Sequence, residues 1–528
     1  MVTIPPDEFP FGSTRGRRGC VATADQLASQ AGLLALWRGG NAVDAAIAAN
    51  AAMAVVGPHL CGLGGDLFAL IHTGRSVIGL DASGRAGSGL DPAALRAEGH
   101  VEMPFRHDVR SVTVPGCVDG WVTLHERFGQ LALADVLGPA IELAEEGYPA
   151  SPLLVGACTG LDGPGRVNLH ELADAATRPG AVVVRPGVGR AMRAVSEGGR
   201  EGFYLGEFGA GLLDIGAGTF TEDDLAASQA RWVDPLVASA FGVELHTVGP
   251  PSQGYLTLGG ALLAQPLDLP DDPDDPQWAH LLIEASVAAG RDRPEVLHEH
   301  ADGEALLVDI AGRAGEIDPD RASPRTAPVG AGDTTHLCVV DGHGMAVSLT
   351  QSNASNFGSW LAEPTTGINL HNRGLGFNLV PGHPAEAGPG RRPPHTLSPA
   401  LATRDGALAA VFGTMGGDAQ PQILLQIAAR LFRHGVSPAR AIGAARWVVR
   451  GPGTGFDTWT AADGAHVVVE AHAPAAWSEG LATRGHEVRA ARSWDAAFGH
   501  AHAIVVEPDG MLAGAADPRA RVGSVAAR

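Results

Sequence analysis

Residues 335–352, THLCVVDGHGMAVSLTQS, contain two alternating apolar runs on either side of Asp341-Gly342-His343-Gly344. This alternation is typical of strands, and a turn of this composition between two such runs predicts a β-hairpin. Further along, LSPALATRDGALAAVFGTMGG predicts strands and DAQPQILLQIAARLFRHG predicts a helix. Strands and helices therefore fall into separate runs, which favours a layered α+β fold over a doubly wound one.

The alanine-rich residues 22–55 predict two closely packed helices joined at Gly39-Gly40. Asn41 is placed to act as the N-cap of the second helix, because its side-chain oxygen can accept a hydrogen bond from the first-turn N–H groups. Further helical segments are predicted at residues 117–150 and near residues 277–291. The 528 residues are enough for a large hydrophobic core.

The charge composition excludes several classes of function. The net charge of −21 makes the chain poorly suited to nucleic acid or to an anionic membrane. All 37 basic residues are arginines, since the sequence contains no lysine. This removes a P-loop lysine, a Schiff-base lysine and any lysine nucleophile or base.

The cysteines and the N-terminal residues predict a cytoplasmic protein. The five cysteines are scattered without a CxxC pair, which indicates a reducing compartment. The first residues, MVTIPPDEFPFGSTRGRRG, lack the apolar run of a secretory signal. No run approaches the ~18 apolar residues of a membrane helix.

Two adjacent threonines, Thr334 and Thr335, follow Gly332-Asp333 at the predicted start of the hairpin. Thr-Thr at the start of a strand is often β-propensity alone. The alternative is a nucleophile, and a hydroxyl nucleophile needs a base. One solution uses the threonine's own α-amine, with a pKa near ~8, and it requires that threonine to become an N-terminus.

The second candidate is the stretch GTMGGDAQPQ, residues 413–422. Gly416 and Gly417 lie between a predicted strand and a helix start, where backbone N–H groups can turn outward and stabilise an oxyanion. An ordinary tight turn between strand and helix explains the same pattern.

Other motifs are weaker candidates. His298-Glu299-His300 has i,i+2 spacing on a loop, which is not a recognised metal-site spacing. The glycine-rich CGLGGD and GPGTG stretches lack the context of a dinucleotide site. We therefore predict neither a metal nor a cofactor.

A series of short motifs carries a family resemblance. GGNAVDAA, GLGGD, VPG, GPPSQG, DTTH, TLSPAL, GTMGGD and AADPR occur in the order found in γ-glutamyltranspeptidases and related acylases, from about residue 17 to 523. The resemblance implies an N-terminal-nucleophile hydrolase, a four-layer αββα sandwich made as a proenzyme that cuts itself before a threonine.

The resemblance also implies where the precursor is cut and what it becomes. Thr334 matches the family's nucleophile, so the expected cut lies between Asp333 and Thr334. The large subunit would be residues 1–333 and the small subunit residues 334–528, together forming one αββα domain. The resemblance leaves open a dimer of these heterodimers.

The resemblance assigns roles around the nucleophile. Thr334 Oγ attacks an acyl carbonyl with its freed amine as base, and Gly416 and Gly417 hold the oxyanion. Ser352 matches a hydroxyl that hydrogen-bonds the nucleophile. An asparagine expected at position 354 is Ala354, although Asn353 and Asn356 flank it and are assigned to substrate binding.

The substrate pocket departs from the family pattern. HNRGLGF (371–377) puts Arg373 and Gly376 where transpeptidases have two acids that hold the glutamyl amino group. The serine pair that holds the α-carboxylate becomes His395-Thr396. The family's carboxylate-binding arginine aligns with Ser83, and Arg85 lies two places on. These changes resemble the oxamate amidohydrolase and cephalosporin acylase branches.

Three hypotheses follow for the function. The first is an autoprocessed threonine hydrolase that removes a small anionic acyl group of oxalyl or glutaryl type. The second is a genuine γ-glutamyltransferase or glutathione hydrolase, or a homologue that hydrolyses a C–C bond to release oxalate in antibiotic biosynthesis. The least favoured is a catalytically silent scaffold of this fold, because the intact DTTH and MGGD motifs argue against it.

Overall fold

A computed structural model describes residues 12–216, 218–323, 334–451 and 465–528. The strands of these residues, in chain order, are β1 Thr14–Gly16, β2 Gly19–Thr23, β3 Asp66–Thr73, β4 Val77–Ala82, β5 Tyr148–Pro149, β6 Val182–Val183, β7 Arg231–Val233, β8 Leu236–Ala240, β9 Val243–Thr247, β10 Thr335–Asp341, β11 Met345–Ser352, β12 Ala400–Arg404, β13 Ala407–Thr414, β14 Trp447–Arg450, β15 His466–Glu470, β16 Val488–Ala491, β17 Ala501–Val506, β18 Leu512–Ala516 and β19 Ser524–Ala527.

The α-helices are α1 Gln26–Trp37, α2 Ala42–Val56, α3 Pro92–Ala97, α4 Cys117–Phe128, α5 Leu133–Glu146, α6 Pro152–Thr159, α7 Gly163–Asn168, α8 His170–Ala175, α9 Pro186–Tyr204, α10 Glu207–Ile215, α11 Glu222–Ala226, α12 Tyr255–Ala264, α13 Pro276–Gly290, α14 Arg293–Val296, α15 Gly303–Ala311, α16 Gln420–Ala428, α17 Pro438–Gly443 and α18 Ala475–Thr483. Among the described residues, none of these helices combines the length and the apolar character needed to cross a membrane.

Two seven-stranded antiparallel sheets form the centre of the molecule. Sheet I has the strand order β1-β18-β17-β13-β12-β9-β8, and sheet II has the order β19-β2-β10-β11-β3-β4-β7. Both sheets combine strands from before residue 323 with strands from after residue 334. In sheet II, for example, β10 pairs with β2 on one side and β11 pairs with β3 on the other.

Three separate hydrophobic clusters confirm the predicted αββα layering. One cluster packs α1, α2, α4 and α5 on the outer face of sheet II, and another packs α12, α13 and α16 on the outer face of sheet I. The third lies between the sheets and includes Phe68, Leu70, Cys338, Leu401 and Val411. The layered α+β fold that the strand and helix patterns predicted is thus confirmed, as is the four-layer sandwich that the family resemblance implied.

Helix α2 shows why these residues form a core helix. Asn41 caps it as predicted: its side chain accepts from the N–H groups of Val43 and Asp44, and the Asp44 carboxylate accepts the Asn41 N–H. All residues of α2 are buried, which fits a helix that is apolar on every face. Its alanines allow α1, α5 and sheet II to approach it closely.

Candidate active site

Thr334 lies immediately before β10, at one end of a central strand of sheet II. Its Oγ1 donates a hydrogen bond of 3.1 Å to the Oγ of Ser352, and Ser352 is the last residue of β11. Both side chains are buried. Thr335 is the first residue of β10 and pairs with Gln351. Because successive residues of a strand face opposite sides, the two threonine side chains are directed apart.

Ala354, which stands where the family pattern has asparagine, holds Ser352 in place through its backbone N–H. The Ala354 N–H donates to Ser352 Oγ at 2.8 Å. Ala354 has φ 72, in the left-handed region, where asparagine and glycine are better tolerated than alanine. The asparagine that the resemblance led us to expect at this position therefore suits the backbone, and alanine adopts the same conformation at a cost of ~1–2 kcal/mol.

The GLGGD motif acts as a packing surface beneath Ser352. A Cβ on Gly65 would lie 2.4 Å from the Ser352 carbonyl oxygen, and one on Gly64 would lie 2.3 Å from the Asn369 carbonyl oxygen. Only glycine permits these approaches. The motif thus brings the 60–66 loop against the end of β11.

The second glycine motif forms the predicted turn between β13 and α16. Gly416 and Gly417 have φ 136 and 55, conformations that favour glycine. The Gly416 carbonyl accepts the Ala419 N–H at 3.0 Å, and the Gly417 carbonyl accepts from Gln253 Nε2 at 3.0 Å. A pair of backbone N–H groups in such a turn can stabilise an oxyanion.

His336 fixes the distance between the two sheets near Thr334. Its Nε2 lies 3.0 Å from Ser348 Oγ, and that hydroxyl donates to the Phe412 carbonyl of sheet I at 3.3 Å. A Cβ on Gly413 would lie 2.2 Å from His336 Nε2. The start of β10 and the end of β13 therefore lie together, which places Thr334 and the Gly416-Gly417 turn at the same end of the sandwich. Burial, with His502 nearby, holds the pKa of His336 well below its ordinary value.

Asp66 is the electrostatic centre of the pocket, and sequence reasoning missed it. Its carboxylate is fully buried and lies 3.1 Å from His395 Nε2 and 3.5 Å from His371 Nδ1. Burial alone would raise the pKa of Asp66, but His371, His395 and Arg373 outweigh burial and lower it to about 2. Burial, together with Arg373, lowers the pKa of His395 to about 4. At neutral pH Asp66 is ionised and His395 is uncharged.

Arg373 lies within the protein and not at the surface. It begins the short 3-10 turn Arg373–Gly376, its side chain is buried, and its Nη2 donates to Thr396 Oγ1 at 3.3 Å. Burial lowers the pKa of Arg373 to about 10, while Asp66 and Asp418 act to raise it. The guanidinium is therefore charged at neutral pH and is balanced in part by two carboxylates.

The guanidinium next to Ser83 belongs to Arg392, which sequence reasoning did not select. Arg392 Nη1 donates to Ser83 Oγ at 3.2 Å and its Nη2 donates to the Gln229 carbonyl at 2.7 Å. The guanidinium of Arg85 donates instead to the Ser228 carbonyl at 3.1 Å. The only sequence signal for Arg392 was its position three residues before His395.

A cavity of about 330 Å³ opens beside the turn that follows Arg373. Gly376, Phe377, Pro394 and Arg293 are among its lining residues. Arg293 Nη2 lies 3.1 Å from Asp418 Oδ1, next to the Gly416-Gly417 turn. Sequence reasoning missed both members of this ion pair.

The asparagines predicted to bind substrate are only partly satisfied by the protein. Asn353 Nδ2 donates to the Pro58 carbonyl at 3.1 Å, and the backbone carbonyl of Asn356 accepts from Trp360 Nε1 at 2.7 Å. The side-chain oxygens of Asn353 and Asn356 accept no hydrogen bond from the described residues. Asp333 lies outside the described residues. In the His298-Glu299-His300 loop, Glu299 accepts from Arg391 Nε at 3.1 Å, which makes Glu299 a loop anchor.

The two sheets between helical layers, with a threonine at the start of a central strand, define an N-terminal-nucleophile hydrolase fold. The model of the γ-glutamyltranspeptidase family matches residues 28–527. The chain therefore belongs to the γ-glutamyltranspeptidase family and is an enzyme of the N-terminal-nucleophile hydrolase class.

Individual relatives match over nearly their whole length. The oxamate amidohydrolase proenzyme of Klebsiella pneumoniae subsp. pneumoniae is 35% identical over 95% of this chain and 97% of its own. Acylase ACY 1 proenzyme of Pseudomonas sp. strain SE83 is 32% identical over 96% and 93%. The crystal structure of cephalosporin acylase from Bacillus halodurans superposes with a TM-score of 0.87 at 33% identity, covering 100% of this chain and 99% of that one.

Proposed function

We propose that the chain is a precursor that cuts itself between Asp333 and Thr334 and then uses Thr334 as the nucleophile of an acyl hydrolase. The observation that carries this proposal is the 3.1 Å hydrogen bond between Thr334 Oγ1 and Ser352 Oγ at the mouth of β10. Relatives described as proenzymes support the precursor step.

The reaction follows from the groups around Thr334. The freed α-amine of Thr334 removes the Oγ1 proton, and Oγ1 attacks the acyl carbonyl. The N–H groups of Gly416 and Gly417 stabilise the oxyanion, and the α-ammonium returns the proton to the leaving amine. Water then hydrolyses the Thr334 ester, releasing the acid and regenerating the hydroxyl. Ser352 holds Oγ1 in position throughout.

A buried arginine of the pocket favours an anionic acyl group. Arg373, Arg293 and Arg392 are all buried, and Asp66 and Asp418 are the carboxylates that interact with Arg373. Arg293 pairs with Asp418, and Arg392 lies 4.0 Å from Asp81. The planar guanidinium of Arg373 is therefore the group that we expect to hold a substrate carboxylate in a bidentate manner. We propose oxalyl, succinyl or glutaryl groups as the acyl portion.

A second function, γ-glutamyl transfer or hydrolysis, is favoured by the same two carboxylates. Asp418 adjoins the oxyanion turn and could hold a substrate ammonium if Arg293 moved away from it. The two proposals differ in one chemical feature, the amine on the acyl group.

We also propose a cytoplasmic location and a heterodimer of residues 1–333 and 334–528. All five cysteines are buried free thiols, which suits a reducing compartment.

Intact-mass measurement of the purified protein tests the precursor proposal. We expect two chains, the smaller beginning Thr-Thr-His. Thr334→Ala should remain full length and inactive, whereas Thr335→Ala should still be cut. A fully active single chain would refute the nucleophile assignment, and a cut blocked only by Thr335→Ala would move it to Thr335.

A substrate panel tests the specificity proposal separately. Oxalyl, succinyl and glutaryl anilides are compared with the γ-glutamyl anilide at equal concentration. We expect higher kcat/KM for the acids without an amine. Preference for the γ-glutamyl anilide over all of them would support the second function and leave the Thr334 mechanism intact.

A further inference from the structure

A buried cluster of metal-ligand side chains lies on the helical layer outside sheet I, away from the Thr334 site. It consists of His280, Glu284 and His486, all buried. His280 and Glu284 are one turn apart in α13, so they share a helix face. His486 follows α18, and it comes from the part of the chain after residue 334. One ligand atom from each residue lies within 4.8 Å of the others.

Hydrogen bonds of His280 and Glu284 orient these two side chains for a cation, whereas His486 Nδ1 has no hydrogen-bond partner among the described residues. His280 Nε2 lies 2.9 Å from the Asp318 carbonyl and must donate to it, which leaves the Nδ1 lone pair directed to His486. A metal-binding histidine usually donates its second N–H to such a carbonyl. Glu284 Oε2 accepts the Ser323 N–H at 2.9 Å. Its buried Oε1 accepts no hydrogen bond from the described residues, and a buried carboxylate oxygen without a donor is costly.

We propose that His280 Nδ1, His486 Nε2 and Glu284 Oε1 bind a divalent transition-metal ion of the zinc type. Two nitrogens and one carboxylate oxygen are a donor set that zinc uses, with water as the fourth ligand. His280 Nδ1 and His486 Nε2 are 2.7 Å apart, and His486 Nε2 and Glu284 Oε1 are 3.9 Å apart. Tetrahedral bonds of 2.0–2.1 Å need separations of about 3.3 Å, so the two nitrogens would move apart and Glu284 Oε1 would move closer to them on binding the ion.

The site has a structural role in this proposal. It would join α13 and the segment ending at Ser323 to His486, and so connect the two parts of the chain that flank residues 324–333. Ion binding would therefore stabilise the cleaved enzyme without entering the reaction at Thr334.

Metal analysis of the wild-type protein is the primary test. After removal of metal with a chelator, zinc is titrated against a chromophoric competitor, and binding of Co²⁺ is followed by its visible absorption. We expect one tightly bound ion for each chain and a higher unfolding temperature with zinc. Absence of stoichiometric binding overturns the proposal and indicates that His280 Nδ1 and His486 Nε2 share a proton in a hydrogen bond instead of a metal ion.

Two sets of variants locate the ion. Glu284→Gln preserves side-chain shape, and we expect it to weaken zinc binding by at least ~10-fold and to abolish the shift in unfolding temperature. The matched control is the double variant His298→Ala, His300→Ala on the loop near Arg391, which removes two histidines elsewhere and should bind zinc normally. Loss of binding in the control with retention in Glu284→Gln overturns the assignment. If Glu284→Gln does not fold, His486→Gln serves in its place.

Discussion

Thr334 Oγ1 and Ser352 Oγ are joined by a hydrogen bond of 3.1 Å across the open end of a β-hairpin. The Ala354 N–H donates to the same serine oxygen at 2.8 Å, so the position of the threonine hydroxyl depends on the backbone beyond β11. The hairpin and the loop that follows it together fix the position of the Thr334 hydroxyl.

Ser352→Ala should lower kcat by about 10-fold, because a hydrogen bond that positions the nucleophile is worth ~1–1.5 kcal/mol. Ser352→Thr should retain most of the activity, since it keeps the hydroxyl. The measurement is kcat with the best anilide substrate on fully processed protein. Ser359→Ala removes another buried hydroxyl from the same loop, where Oγ donates to the Leu370 carbonyl, and should leave kcat unchanged. An equal fall in kcat in Ser352→Ala and Ser359→Ala would mean that Ser352 contributes to packing and does not position the nucleophile.

Gly417→Val should lower kcat by roughly 10²-fold or more, the usual cost of losing an oxyanion donor. Valine keeps the N–H, but its side chain and its intolerance of a positive φ would displace that N–H from the oxyanion. Valine at φ 55 is also strained, so a control must separate strain from chemistry. Gly435→Val provides it: Gly435 has φ 62, a Cβ added there would meet no other atom within 4 Å, and it lies outside the site. We expect backbone strain to destabilise both variants, more strongly at the buried Gly417 than at the exposed Gly435, and loss of kcat in Gly417→Val only. Normal turnover of folded Gly417→Val would make the motif an ordinary turn.

Arg373→Ala should raise KM for an anionic acyl anilide by at least ~10-fold while affecting the γ-glutamyl anilide less, because it removes a buried cation that can pair with the acyl carboxylate. Arg373→Lys keeps the charge without the planar fork and should give an intermediate KM. Steady-state kinetics on both substrates measure the difference. An equal rise in KM for both substrates would mean that Arg373 keeps the pocket folded and does not bind the acyl carboxylate.

The free energy of unfolding should fall by more than ~2 kcal/mol between pH 7 and pH 5. Burial lowers the pKa of His59 and of His502 to about 3 and that of His395 and of His500 to about 4, and it holds the pKa of His336 well below its usual value. In the unfolded chain these imidazoles titrate near ~6.5. Between these values the unfolded state binds more protons, so the stabilisation is complete above ~6.5 and is lost as pH falls towards about 4.

One buried carboxyl opposes this trend. Burial raises the pKa of Asp25 to about 6, and the folded state therefore binds its proton more tightly than the unfolded state between ~3.9 and 6. Protonation of Asp25 therefore stabilises the folded protein as the pH falls. This is the effect of one group, whereas the five histidines destabilise the folded protein over the same range. Urea unfolding at pH 7 and pH 5 measures the net effect. Equal stability at the two values would mean that these imidazoles are accessible to protons in the folded protein.

Gly413→Ala should destabilise the protein by ~1–3 kcal/mol through overpacking, because its new Cβ would lie 2.2 Å from the buried ring of His336. Adding His336→Ala should restore part of the loss by removing the clashing ring. Gly138→Ala is the control, since Gly138 lies in α5 with open space where its Cβ would be, and alanine favours helices. Denaturant unfolding compares the three. An additive double variant would show that the two positions do not clash.

Local sequence patterns predicted the parts of this structure that depend on neighbouring residues. The hairpin of β10 and β11, the Asn41 cap and the Gly416-Gly417 turn all follow from a few consecutive residues, and the structure has each of them. Family resemblance added the αββα layering and directed attention to Thr334 and Ser352.

The charged part of the pocket could not be predicted in the same way. Asp66 meets His371 and His395 only because β3 and the 369–396 segment are brought together by the sheets. Arg392 reaches Ser83 across 309 positions of sequence. Nothing local distinguishes these side chains from ordinary surface charges, so their roles depend on the tertiary fold.

Because both sheets combine strands from before and after Thr334, a cut before this residue would change how the protein refolds. In sheet II, β10 and β11 lie between β2 and β3, so neither fragment could complete that sheet alone. Before the cut, folding is a unimolecular event whose equilibrium does not depend on concentration. After it, recovery from denaturant requires two chains to meet, and the recovered fraction becomes a function of protein concentration. The cut would thus turn a reversible fold into one maintained mainly by its slow rate of unfolding.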